Sequence, residues 1–186
     1  MNDASSTILN EDHALFPAAL NERAVRLLDL CRTRGVKIAT AESCTGGLII
    51  GLLTEIPGSS DVVDRGFVTY SNAAKNESLG VPAALITQLG AVSRQVAAAM
   101  AQGALTYSRA DVAVAVTGVA GPGGGSEAKP VGLVYIAART RNGTALIKEC
   151  RFGEDIGRGA IRMATINEAL GLIEQVLAEP PLPPTG

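Results

Sequence analysis

The sequence predicts a layered α/β domain built around a mixed β-sheet. Segments with helical apolar spacing alternate along the chain with short runs of β-branched residues, in the order αβαβαααβββα. Asn142-Gly143 joins the last two strands and is a strong hairpin signal, which requires an antiparallel pair. The chain of 186 residues is 47% hydrophobic but only 3% aromatic. Its core must therefore consist of Ala, Val, Leu and Ile, which suits helices packed closely on a sheet.

The helices are predicted from apolar periodicity and end signals. In the first, over 19–34, Ala24, Leu27, Leu28 and Cys31 recur at helical spacing, and Gly35 ends it. Ser93 is a suitable cap for the fifth helix. The second helix is predicted from Thr45 onward, and the others over 72–79, 83–89, 94–104 and 156–178.

The strands are predicted from short apolar and β-branched runs between turn signals. The segment 111–117 alternates Val with Ala, a composition that suits a strand buried on both faces. The other strands are predicted over 36–40, 66–70, 131–137 and 144–152, with loops at 57–60 and 118–129.

Composition changes at the two ends predict the domain boundaries. We expect a flexible arm over 1–17, one domain over 18–179, and an extended Pro-rich tail over 180–186. The polar, acid-containing start differs from a signal peptide, and the apolar runs are too short to cross a bilayer. These features predict a soluble, cytoplasmic protein without a membrane partner.

Charge and cysteine content exclude two classes of function. Sixteen basic and eighteen acidic residues leave a net charge of -2, which argues against nucleic-acid binding but permits a local site for one small phosphorylated ligand. Cys31, Cys44 and Cys150 lack metal-ligand spacing, so we expect reduced thiols, two of them in the core, and no metal.

Ser43 is the first candidate catalytic residue, because a predicted strand runs directly into a helix there. The amides of Cys44, Thr45 and Gly46 would point back toward it and, with the helix dipole, would stabilise a phosphate or a developing oxyanion. Ser43 or Thr45 as a simple helix N-cap is the alternative.

Tyr70 and Lys75 follow the second predicted strand, so their side chains can reach the same sheet edge as Ser43. Lys75 could act as a general base if burial or a neighbouring cation lowered its pKa, and Tyr70 could relay a proton or orient the serine hydroxyl. An interfacial tyrosine and a solvated lysine are the alternative.

The glycine-rich loop after the third strand could wrap a phosphate or a ribose. It matches neither the P-loop nor the dinucleotide-binding pattern, and a merely flexible loop is the alternative. The candidate binding positions are Thr117, Gly121, Gly123, Gly124 and Ser126.

A histidine-based triad is improbable, because the only histidine, His13, lies in the weakly patterned arm. Without a zinc motif either, a serine activated by lysine is the available hydrolytic chemistry. Cys44, adjacent to Ser43 and acidified by the same helix end, is a competing nucleophile that ranks below Ser43.

Five motifs occur in a characteristic order and spacing, at 40–47, 56–60, 65–72, 90–93 and 118–124. Together they resemble the CinA C-terminal domain family, whose stand-alone form is nicotinamide-nucleotide amidohydrolase. The resemblance covers about residues 22–177.

The resemblance implies a specific reaction and fold. The reaction is hydrolysis of nicotinamide mononucleotide to nicotinate mononucleotide and ammonia, without a cofactor, with Ser43 as nucleophile, Lys75 as base and Tyr70 as third member. The fold is a three-layer α/β/α sandwich with a mostly parallel sheet, in a homo-oligomer. The N-terminal pyrophosphatase domain of some members is expected to be absent.

Two other hypotheses remain: a non-catalytic nucleotide-binding module, and another amidase or esterase with the same Ser-Lys chemistry. The intact set of Ser43, Tyr70 and Lys75 favours catalysis.

Overall fold

A five-stranded sheet organises the chain in the computed structural model, which describes residues 15–179. The strands are β1 (Ile38–Glu42), β2 (Val63–Val68), β3 (Val112–Gly118), β4 (Leu133–Thr140) and β5 (Ala145–Arg151). The helices are α1 (Ala18–Arg34), α2 (Leu48–Glu55), α3 (Asn72–Leu79), α4 (Ala83–Leu89), α5 (Arg94–Thr106) and α6 (Gly157–Ala178), with a 3-10 turn at Ser59–Asp61. The predicted order of elements is confirmed.

The sheet has the strand order β2-β1-β3-β4-β5. The pairs β1/β2 and β1/β3 are parallel, whereas β3/β4 and β4/β5 are antiparallel, so β4 alone opposes the other four strands. Glu42, the last residue of β1, pairs with Val68 on one side and Val116 on the other. This register brings the loops after β1, β2 and β3 to one edge of the sheet, where ligand sites of open α/β sheets lie.

The two faces of the sheet carry side chains of different size. Val112, Val114 and Val116 of β3 pack into one apolar cluster with α1, α2 and α6. The alternating residues Ala113 and Ala115 pack into a second cluster with α3, α4 and α5. Helices therefore cover both faces, which confirms the three-layer sandwich with a mixed, mostly parallel sheet. The small alanines let α5 approach its face of the sheet closely.

Helix α5 also packs closely against the end of α3. A Cβ atom added at Gly103 would collide with the carbonyl oxygen of Leu79, so only glycine fits there. Ser93 caps α5 as predicted, since its hydroxyl accepts a hydrogen bond from the Val96 amide at 3.4 Å. Ser71 caps α3 in the same way through the Ala74 amide at 3.0 Å.

Element boundaries near the sheet edge differ from the predictions. β1 begins at Ile38 and continues through Glu42, because neighbours on both sides satisfy its backbone hydrogen bonds. β2 ends at Val68, so Tyr70 lies two residues beyond the strand instead of closing it. Helix α2 begins at Leu48 and not at Thr45, because residues 44–47 form turns.

The remaining strands differ by a few residues at their ends, whereas α3 and α4 have their predicted bounds. The antiparallel hairpin at Asn142-Gly143 is confirmed by the β4/β5 pairing. All three cysteines are buried and free, one more than expected in the core. None of the helices over 15–179 is long and apolar enough to cross a membrane. His13, most of the predicted arm and the Pro-rich tail lie outside the described residues.

Candidate active site

Ser43 is the first residue after β1, at the sheet edge described above. Its amide donates a hydrogen bond to the carbonyl of Val116 on β3 at 3.1 Å. Its own carbonyl accepts from the Gly46 amide at 3.0 Å, in a turn that Gly46 completes with φ of 62°. These bonds hold the backbone of Ser43 against β3, while its partly exposed side chain lines a pocket of about 300 Å³.

The fully buried carboxylate of Glu42 organises the turn that follows Ser43. It accepts hydrogen bonds of 2.7–3.1 Å from the hydroxyls of Thr40 and Thr45 and from the amides of Gly47, Ile49 and Ile50. The Glu42 carboxylate thus satisfies the free amides at the start of α2 and complements the helix dipole.

This arrangement corrects two predictions about the turn. Neither Ser43 nor Thr45 is the N-cap of α2, because Gly47 occupies that position and Glu42 binds the amides. The amide of Gly46 is also unavailable to a ligand, since it donates to the carbonyl of Ser43. Among the described residues, the amides of Cys44 and Thr45 have no other residue as partner, so they remain candidate donors.

Lys75, the fourth residue of α3, is only 1% exposed. Its Nζ lies 3.1 Å from Oγ of Ser43 and donates a hydrogen bond to the carbonyl of Thr69 at 2.8 Å. No carboxylate within residues 15–179 forms an ion pair with it. Burial lowers the pKa of Lys75 below its usual value, because the charged form loses hydration without an ionic partner. The alternative of a solvated lysine is wrong.

Tyr70 lines the same pocket but contacts a different residue. The residue is 63% exposed, and its hydroxyl accepts a hydrogen bond from the Arg158 guanidinium at 3.2 Å. Its hydroxyl has no hydrogen bond to Ser43 or Lys75 in the structure as described. The structure therefore pairs the Tyr70 hydroxyl with Arg158 and the Ser43 hydroxyl with Lys75.

Cys44 is a poor competitor for the nucleophile role. The residue is 6% exposed, and burial raises the pKa of its thiol to about 11. The predicted acidification by the helix end is wrong, because the α2 amides bind Glu42 and desolvation outweighs the nearby positive charges. Cys44 consequently remains a protonated thiol near neutral pH.

The glycine-rich loop supplies part of the pocket, as its composition predicts. Gly121, Gly123 and Gly124 line it together with Thr117. The hydroxyl of Thr117 is 2.9 Å from the Ala91 carbonyl, to which it donates, so its proton is already in use. Ser126 lines a neighbouring cavity instead, and its hydroxyl accepts from the Lys129 amide at 3.1 Å. The structure thus separates Ser126 from the other candidate positions.

Two arginines of α6 belong to this region but were not singled out from the sequence. Arg158 lines the pocket and donates to the carbonyl of Gly121 at 2.7 Å. One turn later, Arg162 donates to the carbonyl of Thr45 at 2.8 Å and braces the turn after Ser43. Their spacing of four places both on one helix face, a signal visible in the sequence once α6 is known to pass the site.

Other parts of the described structure offer less chemistry. No group of three His, Cys, Asp or Glu side chains over 15–179 could hold a metal ion. A larger cavity, of about 540 Å³, is lined by Val36 and Asp111, which precede β1 and β3. It therefore lies at the opposite edge of the sheet from Ser43 and Lys75.

Comparisons with known proteins agree on one family. Residues 20–177 match the family model of the CinA C-terminal domain. The nicotinamide-nucleotide amidohydrolase PncC of Enterobacter agglomerans is 49% identical over 144 residues, which cover 77% of this chain and 87% of that protein. A CinA-like protein of Geobacter sulfurreducens is 49% identical over 148 residues, which cover 80% of this chain and 35% of that protein.

The fold comparison gives the same result. The crystal structure of the competence/damage inducible protein CihA from Agrobacterium tumefaciens is 56% identical, with a TM-score of 0.86, and the match covers 89% of this chain and 99% of that one. The chain spans only 35–36% of the length of several longer relatives.

Proposed function

The chain belongs to the CinA C-terminal domain family, and we propose that it is an amidohydrolase acting on nicotinamide mononucleotide. The products are nicotinate mononucleotide and ammonia. In this proposal residues 18–179 form the catalytic domain, and the related PncC supports the choice of substrate.

The observation that carries the proposal is the contact of Ser43 with a buried lysine that forms no ion pair with any residue over 15–179. A lysine can accept a proton only when it is neutral, and burial of Lys75 lowers its pKa toward the working range of a general base. Its Nζ lies 3.1 Å from Oγ of Ser43, within reach for direct proton transfer. A hydroxyl and an amine in this geometry form an activated nucleophile without histidine or metal.

The first half of the reaction acylates Ser43. Neutral Lys75 takes the hydroxyl proton while Oγ forms a bond to the carboxamide carbon, whose oxygen becomes negatively charged. The carbon–nitrogen bond then breaks, Lys75 returns the proton to the leaving nitrogen, and ammonia departs. The amides of Cys44 and Thr45 are the candidate donors to the oxyanion, each worth about 3–4 kcal/mol if well aimed.

The second half hydrolyses the acyl-enzyme. Lys75 takes a proton from water, the hydroxide oxygen attacks the acyl carbon, and Ser43 regains its proton as the ester bond breaks. The partly exposed position of Ser43 allows water to enter. Tyr70 is proposed to orient the substrate or the serine hydroxyl after its exposed side chain rotates toward Ser43.

The test is ammonia release from nicotinamide mononucleotide by the purified protein, measured over a broad pH range. Absence of release at every pH would remove this function and favour a non-catalytic nucleotide-binding module. Release from simple amides or esters, but not from the nucleotide, would favour a different Ser-Lys hydrolase. The homo-oligomer implied by the family is a further proposal, which light scattering of the same sample would test.

A further inference from the structure

A chain of hydrogen bonds connects Arg162 to the turn that follows Ser43. Nη2 of Arg162 donates to the carbonyl of Thr45 at 2.8 Å. The amide of the next residue, Gly46, donates to the carbonyl of Ser43 at 3.0 Å. That carbonyl belongs to the same peptide unit as the amide of Cys44, a candidate donor to the oxyanion. Two hydrogen bonds and two peptide units therefore link the guanidinium to this amide.

Both peptide units of this chain are oriented in the same sense. They are trans, so the carbonyl of each unit points away from its amide and the two dipoles add. The carbonyl of Thr45 also accepts a longer bond of 3.4 Å from the Leu48 amide, which polarises it in the same direction. A positive charge at this end makes the last amide hydrogen, that of Cys44, a stronger donor.

The charge of Arg162 is not compensated by a carboxylate. Within residues 15–179 its guanidinium takes part in no ion pair. Its Nε is buried and has no hydrogen-bond partner in the described part of the chain. Burial raises the pKa of the Cys44 thiol, and the positive charge of Arg162 opposes this rise. The field of the guanidinium therefore reaches the residue whose amide is the candidate donor.

Glu42 and Arg162 bind different groups of the same turn. The Glu42 carboxylate accepts from the amides of Gly47, Ile49 and Ile50. Arg162 instead donates to a carbonyl. Because the contacts of Glu42 do not depend on Arg162, we expect the turn to keep its backbone conformation when the arginine is replaced.

We infer that Arg162 is a positioning residue, which polarises the Cys44 amide through the backbone and so strengthens its hydrogen bond to the oxyanion. Among the described residues it is not one that lines the pocket, so it acts without touching the substrate. Its effect is largest when the carboxamide oxygen becomes negative, and its loss should therefore lower kcat more than it changes KM. The inference rests on the proposed function for the identity of the amide that is cleaved.

Arg162→Met tests this role, because methionine fills part of the same space without a charge or a donor. With nicotinamide mononucleotide, kcat is expected to fall about 10-fold, a part of the roughly 10²- to 10³-fold lost with a whole oxyanion donor. KM should change less than about twofold. Arg162→Lys keeps a charge and a donor, so it should recover part of the loss. Unchanged kcat in Arg162→Met, with or without a higher KM, would overturn the inference.

Arg23→Met is the matched control for a purely structural effect. Arg23 of α1 donates to Asn167 and Glu174 of the same helix α6, outside the pocket lining. Its replacement should lower the temperature of thermal unfolding but leave kcat at the parent value. An equal loss of kcat in Arg23→Met, or a loss in Arg162→Met that matches its unfolded fraction, would show that Arg162 only supports α6 and would overturn the inference.

A second substrate separates this inference from the proposed reaction. Hydrolysis of p-nitrophenyl acetate by an activated serine also passes through an oxyanion, and release of p-nitrophenol measures it. Suppose that the parent releases no ammonia from nicotinamide mononucleotide but cleaves the ester, and that Ser43→Ala abolishes this cleavage. An ester rate about 10-fold lower in Arg162→Met would then support the inference although the proposed function fails. An ester rate equal to that of the parent, or a parent inert toward both compounds, would overturn the inference.

Discussion

The amino group of Lys75 lies 3.1 Å from the hydroxyl oxygen of Ser43, although 32 residues separate them in the chain. Ser43 follows β1, whereas Lys75 lies on α3, just beyond the parallel neighbour β2. The Thr69 carbonyl holds the amine at 2.8 Å, so the pair is preformed. Preorganisation of this kind lowers the cost of reaching a reactive geometry.

Replacing the nucleophile tests which of two adjacent side chains reacts. Ser43→Ala is expected to lower kcat by at least about 10³-fold, because no other hydroxyl in the described part of the chain is hydrogen-bonded to Lys75. Cys44→Ala should keep measurable turnover, since the buried thiol has its pKa raised to about 11 and the backbone amide is retained. Steady-state ammonia release measures both variants. Greater loss in Cys44→Ala than in Ser43→Ala would identify Cys44 as the nucleophile.

The pH dependence of kcat/KM tests Lys75 as the base. Burial lowers its pKa, and the reactive form is the neutral amine. The value of kcat/KM should therefore rise with pH, by up to tenfold per unit, and level off below the usual lysine pKa of about 10.4. Lys75→Met, which fills similar space without an amine, should abolish this rise of kcat/KM with pH together with most activity. A parent profile that falls as pH rises from 6 to 9 would rule out a neutral lysine base.

Substitution of Glu42 tests whether its carboxylate holds the turn after Ser43. Glu42→Gln replaces one acceptor oxygen by a donor, which must then face amides or hydroxyls that also donate. We expect a loss of about 3 kcal/mol in the free energy of unfolding, because buried donors lose their partner. Denaturant titration measures the effect, with Glu77→Gln, an exposed change on α3, as control. Equal stability of both variants would contradict the capping role.

Two glycine substitutions test the packing of α5 against α3. Gly103→Ala places a methyl group against the Leu79 carbonyl and should destabilise the protein by about 1–3 kcal/mol. Gly159→Ala, in the first turn of α6, meets no atom within 4 Å and should be neutral or stabilising by up to about 1 kcal/mol. Thermal unfolding of the two variants measures the difference. The reverse order of stability would show that α5 does not approach α3 this closely.

Local patterns predicted the element order and most of the candidate site. Apolar spacing, the alternation of Val with Ala in β3, and the Asn142-Gly143 turn each depend on residues near one another in the chain, so they are visible without a structure. The sequence has no histidine outside the N-terminal arm, so Lys75 was the candidate base. The contact between Lys75 and Ser43 confirms that their side chains meet.

Contacts between distant segments account for what local patterns did not predict. The apolar spacing predicted that α2 begins at Thr45, but pairing on both sides extends β1 to Glu42, whose buried carboxylate then binds the helix amides. Arg158 belongs to the last helix, and only the packing of α6 across the sheet brings it beside Tyr70, 88 residues earlier. Spacing along a chain carries no information about such contacts. Packing and the burial of polar groups decide them.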